Sequence, residues 1–268
     1  MENCVEPKVR RYKWHKLLIV GIVTYVLGLI VLIGTGNIVL FPAVVMLGNF
    51  LIPVIYVAFF YEKRRISHVT MTDTVASFFY GGFLGTFAAA VLEPIFMTQM
   101  SMGNALIVGL VEEFTKILGV LLIYKRKKCR FHIDGIILGA SAGMGFAALE
   151  STGYAFSYFL RSQGNLSLTV YITLLRGILS PLGHGTWTAI LGGVFARENT
   201  NPGLRINRKI VNAYIVVVIL HSLWNSVPSL MSVFFPLGAS IFLAEIIIGI
   251  IGIIILRVQW YRAKKALN

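Results

Sequence analysis

Charge is scarce in this chain. Of its 268 residues 13% are Asp, Glu, Lys or Arg, whereas soluble domains carry about a quarter. From Leu17 to Tyr61 there is no charged residue at all. Cysteine is scarcer still: Cys4 and Cys129 stand alone, which excludes both a disulfide framework and a zinc quartet. No internal repeat or low-complexity tract is present, and the longest polar connection, RENTNPGLRINRK, is a short loop. A separate soluble domain is therefore absent, and any chemistry has to come from apolar segments. Those are abundant, with 57% hydrophobic residues and a mean hydropathy of +0.79.

A bilayer core about 30 Å thick needs roughly 20 apolar residues per helix. The run from Leu17 to Tyr61 is too long for one crossing, and the turn-forming GTGN at Gly34 to Asn37 divides it in two. Further spans are predicted over 74–92, 105–123, 133–158, 169–195, 210–227 and 238–256. The fold class is an all-α polytopic membrane protein with about eight transmembrane helices. A signal peptide is the weaker reading of the first apolar run, which is longer than a typical h-region.

Charge placement supports that count. Basic clusters fall at Lys8 to Lys16, Lys63 to Arg65, Lys125 to Arg130, Arg197 to Lys209 and Arg257 to Lys265. These are both ends and every second connection, the pattern of cytoplasmic segments. Arg161 is the only basic residue in the intervening connections. Both termini are thus expected in the cytoplasm, as a basic segment 1–16 and a basic tail 258–268. The net charge of +13 is spread over five short segments, which argues against nucleic-acid binding.

Ionisable residues inside spans mark function by default. They are Glu112, Glu113 and Lys116 in span four, Glu150 in span five, Arg176 and His184 in span six, His221 in span seven and Glu245 in span eight. On continuous helices Glu112 or Glu113 neighbours Lys116, Arg176 shares a stripe with Ser180 and His184, and His221 lies over Asn225. At about 1.5 Å per residue these groups converge on one layer between mid-membrane and the outer face. Three glutamates against Lys116 and Arg176 leave one excess negative charge, so a carboxyl proton, a histidine or a metal ion has to balance it. Lys116 and Arg176 serve equally as structural counter-ions. Glu245 reads as a packing position, Glu93 beside Pro94 as interfacial, and Asp134 as the cap of span five. The glycines at 81–82, 139, 143 and 192–193 read as close helix packing.

Glu112-Glu113-x-x-Lys116, Phe146-x-x-x-Glu150, His184 in RGILSPLGH and His221-x-x-x-Asn225 follow one another in separate spans. In this order they resemble the motifs of the PrsW family of intramembrane proteases, relatives of the CAAX prenyl proteases and bacteriocin-processing proteins. The resemblance covers about the last 170 residues, whereas the three spans within 17–104 show only hydrophobicity. Tyr154 also fits the pattern, and Ser151 stands where Asn is expected. The resemblance implies a catalytic core over 105–257. In it Glu112 would be the general base, Glu150 would help hold the water, Glu113 would pair with Lys116 or Arg176, and His221 and Asn225 would donate to the oxyanion. It also implies a single-pass membrane substrate, such as an anti-sigma factor, cut near the extracytoplasmic side of a bacterial cytoplasmic membrane.

The same residues allow a zinc-dependent protease in which His184, His221 and Glu150 hold the metal. A metal-free glutamate mechanism is favoured, with zinc as the alternative cofactor. Two other function classes stay open: a proton-coupled transporter, since such residues also build proton relays, and a noncatalytic scaffold or immunity protein.

Overall fold

A computed structural model describes residues 13–64, 67–96, 102–127, 131–200 and 203–265. Cys4, Cys129, most of segment 1–16 and the last residues of the tail lie outside the described residues. The helices are α1 (Trp14–Thr35), α2 (Leu40–Glu62), α3 (Met71–Phe79), α4 (Gly85–Phe96), α5 (Met102–Tyr124) and α6 (His132–Arg161), followed by α7 (Leu166–Leu179), α8 (His184–Glu198), α9 (Arg208–Met231) and α10 (Leu237–Lys265). A π-helical turn, Tyr80–Leu84, joins α3 to α4, and a 3₁₀ turn, Ser180–Leu182, links α7 to α8. No strand occurs among the described residues. Counting α3–α4 and α7–α8 as one crossing each, eight crossings result. Seven are long and apolar enough to span a membrane. The eighth is α5, whose 23 residues suffice in length but include Glu112, Glu113 and Lys116.

Local signals set the helix starts. Thr70 and Asp73 exchange bonds across the first turn of α3, Asn165 accepts from the Leu168 N–H at 2.9 Å, and Asn207 accepts from Lys209 and Ile210. Each satisfies amide donors that a helix start leaves without partners. Asp134 does cap α6, accepting from the Phe131 N–H at 3.0 Å. It also accepts from the Ser67 hydroxyl at 2.6 Å and the His68 N–H, which ties the α2–α3 connection to α6. Nearby, the Lys127 ammonium pairs with Asp73, and the Tyr124 hydroxyl donates to the Ala196 carbonyl at 3.1 Å. These bonds gather one end of the bundle, which carries most of the basic residues and is called here the basic end; the opposite one is the neutral end.

α6 is the central helix: 94% of its apolar window is buried, against 11% for α1, whose Leu and Ile side chains face outward as lipid contact requires. The close partner of α6 is α8. A Cβ on Gly135 would lie 2.1 Å from the Gly192 carbonyl oxygen, and one on Gly143 would lie 2.2 Å from that of His184. Only hydrogen fits there, so these glycines bring the two backbones together and set how deep His184 sits.

Span six departs from the continuous helix expected over 169–195. Pro181 has no N–H to extend a helix, and Gly183 takes φ −101° and ψ −109°. The stripe of Arg176, Ser180 and His184 is therefore broken, and His184 starts α8.

Candidate active site

The three charges of α5 lie within about one turn of each other, with Lys116 one turn on from the adjacent Glu112 and Glu113, and all three are buried. Lys116 Nζ reaches Glu112 Oε2 at 3.0 Å, Glu113 Oε1 at 2.8 Å and His184 Nδ1 at 2.7 Å. It also lies 4.2 Å from the centre of the Phe146 ring. Lys116 and Glu113 are wholly buried, and Glu113 gains His221 Nδ1 at 2.9 Å and the Thr188 hydroxyl at 3.4 Å. Three charges in one span are thus tolerated because both carboxylates share the Lys116 ammonium and the remaining bonds come from α8 and α9.

The partners assign the ring hydrogens. The Glu113 oxygen that takes Lys116 can only accept, so His221 Nδ1 carries the hydrogen. Lys116 can only donate, so His184 Nδ1 accepts and its hydrogen sits on Nε2, which lies 3.2 Å from Glu150 Oε2. The free edge of His221, Nε2, faces Glu112 Oε2 at 3.7 Å. Trp187 packs at 4.8 Å from the His221 ring and 5.5 Å from the His184 ring, and the two imidazoles meet at 5.2 Å.

Arg176 does not reach Glu113, as one of the two expected pairings required. Its guanidinium pairs with Glu150 Oε2 at 2.8 Å, donates through Nε to Ser151 Oγ at 3.2 Å and lies 4.1 Å over the Tyr154 ring. Ser151, found where Asn was expected, thus holds the guanidinium in place.

A cavity of about 790 Å³ opens on this cluster. Glu112, Glu150, Arg176, His184, His221 and Asn225 all line it, and Glu113 and Lys116 do not. Asn104, near the start of α5, and Leu230, near the end of α9, line it too, so it runs from mid-membrane to the neutral end. The fold therefore brings every one of the eight residues expected from the sequence into one cluster. Glu93, expected at the outer end of span three, also lines this cavity. Its spacing from Glu112 carries no periodic signal, because α4 and α5 are separate helices.

Glu112, His184 and His221 offer one donor atom each, all within 4.8 Å of one another. This differs from the expected metal set of His184, His221 and Glu150: the Glu150 carboxylate meets His184 at 3.2 Å and is paired with Arg176, but it is not at ion-pair distance from His221. Two imidazoles and a carboxylate are a donor set that zinc takes in hydrolases, and Glu113 behind His221 is the kind of carboxylate that orients a ligating histidine. The residue types fit such an ion, which His184 could take only after giving up its bond to Lys116 or its Nε2 hydrogen.

A family model described as PrsW family intramembrane metalloprotease matches residues 70–255. The match starts at α3, so the third span, which showed only hydrophobicity, belongs to the matched region. Protease PrsW of Halalkalibacterium halodurans is 28% identical over 175 residues, covering 63% of this chain and 76% of that protein. Protease PrsW of Oceanobacillus iheyensis is 24% identical over 119 residues, covering 44% and 50%. No solved structure matches the chain.

Proposed function

The chain belongs to the PrsW family of intramembrane proteases and is a peptidase of the cell membrane, and on that premise we propose that it hydrolyses a membrane-anchored protein with water activated by Glu112. The observation that carries this reading is the division of labour between the adjacent glutamates. Glu112 faces the cavity, while Glu113 is sealed behind it and bonded on both oxygens. A base has to meet water, and only Glu112 of the two does.

In the proposed reaction Glu112 takes a proton from a water molecule whose oxygen bonds to the scissile carbonyl carbon. The oxyanion formed accepts hydrogen bonds from the Asn225 amide and, with His221 in its doubly protonated form, from the Nε2–H of that ring while its Nδ1–H stays on Glu113. The C–N bond then breaks, and Glu112 returns the proton to the leaving nitrogen. Glu150, at ion-pair distance from Arg176 and His184, helps hold the water. Glu113 and Lys116 orient Glu112 and His221 from behind. Lys116 is what favours a metal-free site, since its ammonium already touches Glu112 and His184, two of the three donors a metal would use.

A second reading rests on the same trio. Zinc held by Glu112, His184 and His221 would polarise the scissile carbonyl and acidify a bound water, with Glu150 as the nearby carboxylate for proton transfer. The carboxylate behind His221 favours it.

The substrate we propose is a single-pass protein such as an anti-sigma factor, cut toward the extracytoplasmic side; the cavity's course to the neutral end supports that side. Reconstitution in proteoliposomes with candidate single-pass proteins tests this. The wild type is expected to cut one of them, and Glu112→Gln and His221→Ala to leave it intact. Cleavage that survives both substitutions would overturn the assignment.

A further inference from the structure

Beside the catalytic cavity lies a second one of about 310 Å³. The two share Arg176, His184 and Asn225 as wall. The far side of the smaller cavity belongs to α10 and includes Glu245, which the mechanism does not use. Glu245 is half-buried and has no hydrogen-bond or salt-bridge partner among the described residues. The cation nearest to it in effect, Arg176, is already paired with Glu150. A carboxylate on a membrane helix without its own counter-ion is costly, and such residues normally mark a ligand or ion path.

The cavity's position says what reaches it. α7 packs on α2 and α6, and α10 packs on α8 and α9. The apolar side chains of Ile172 on α7 and Ile241 on α10 both line the cavity. A transmembrane segment lying between these two helices would have one side chain in the smaller cavity while its backbone lies against His184 and Asn225. Cleavage also requires the segment to unwind locally, which strands backbone polar groups in an apolar medium. A polar side-chain contact next to the scissile bond offsets that cost.

We infer that the smaller cavity is a substrate subsite that takes a basic side chain, Lys or Arg, with Glu245 as its counter-ion. This rests on the peptidase reading for its place beside the scissile bond, but binding can be measured apart from cleavage. Glu245 lies about 12 Å in from Leu237 at about 1.5 Å per residue. The probes are single-pass peptides with a Leu and Ala span of about 20 residues, identical except for Lys, Leu or Glu at that depth. Their affinity for the Glu112→Gln protein in proteoliposomes is read by fluorescence.

The Lys peptide is expected to bind about 10-fold more tightly than the Leu or Glu peptide. Glu245→Gln should shrink that preference, and Glu245→Lys should turn it toward the Glu peptide, with unchanged melting temperature in the isosteric Gln variant. Equal binding of all three peptides, or a preference unmoved by either substitution, overturns the proposal. If the Lys preference holds while wild-type protein cuts no bound peptide, the subsite stands and the peptidase mechanism fails instead.

Discussion

Glu113 Oε1 lies 2.9 Å from His221 Nδ1, and both residues are buried. That one bond ties α5 to α9 and points the opposite ring nitrogen of His221 at Glu112 across the cavity. The adjacent glutamates of α5 therefore have separate duties, one in contact with water and one in contact with protein.

Glu112→Gln keeps the shape of the side chain and removes its basicity. Loss of a general base typically costs 10²- to 10⁴-fold, so kcat is expected to fall by at least about 100-fold while thermal stability stays near that of the wild type. Glu113→Gln is expected to lower both, since it disturbs bonds to Lys116, His221 and Thr188. Melting curves set beside kcat for the two variants check the distinction, and the reverse pattern would exchange the two roles.

Lys116→Met would leave two carboxylates in the interior without their shared cation. Removing one partner of a buried pair costs about 3–5 kcal/mol. The double variant Lys116→Met/Glu113→Gln should recover part of that loss, giving a coupling energy between neighbours of about 0.5–3 kcal/mol. Denaturation of the four proteins in matched micelles measures it, and strict additivity would contradict the pairing.

Arg176 acts as a fork: one nitrogen on Glu150, another on Ser151, and its plane over Tyr154. Lysine keeps the charge but cannot make that arrangement. Arg176→Lys is expected to reduce kcat/KM by about 10-fold, equivalent to about 1.4 kcal/mol, and Ser151→Ala by less. Full activity in Arg176→Lys would mean that charge alone matters at this position.

Glycine packing should couple stability to activity at one site and not at another. Ala at Gly143 would press on the His184 carbonyl oxygen, whereas a Cβ at Gly153 of the same helix meets nothing within 4 Å. Gly143→Ala is expected to destabilise by about 1–3 kcal/mol and to displace His184, with loss of cleavage. Gly153→Ala should be neutral or stabilising by up to about 1 kcal/mol. Thermal shift and cleavage assays on both variants separate these outcomes.

Metal content separates the two mechanistic readings. Protein purified without chelator is expected to hold zinc well below one ion per chain and to stay active in EDTA. Stoichiometric zinc, lost together with activity and restored with it, would move Glu112, His184 and His221 from acid–base and oxyanion roles to ligation.

Much of this protein was legible along the chain because a bilayer imposes a one-dimensional rule: each crossing needs a stretch of apolar residues, and each polar residue within one needs a reason. Eight crossings, the alternation of basic and neutral connections, and the choice of Glu112, Glu113, Lys116, Glu150, Arg176, His184, His221 and Asn225 as candidate site residues follow from that rule and from helical spacing. Pairing between helices does not, since it depends on how closely backbones approach. The glycines of α6 decide the depth of His184, the break at Pro181 and Gly183 turns it away from the stripe of Arg176, and Arg176 thereby goes to Glu150. The same geometry puts Glu112 within reach of both histidines while Glu150 reaches His184 alone, and it brings Glu93 and Glu245, which have no periodic partners in sequence, into cavity walls. Composition and period set which residues are in the membrane; only packing in three dimensions determined which of them meet.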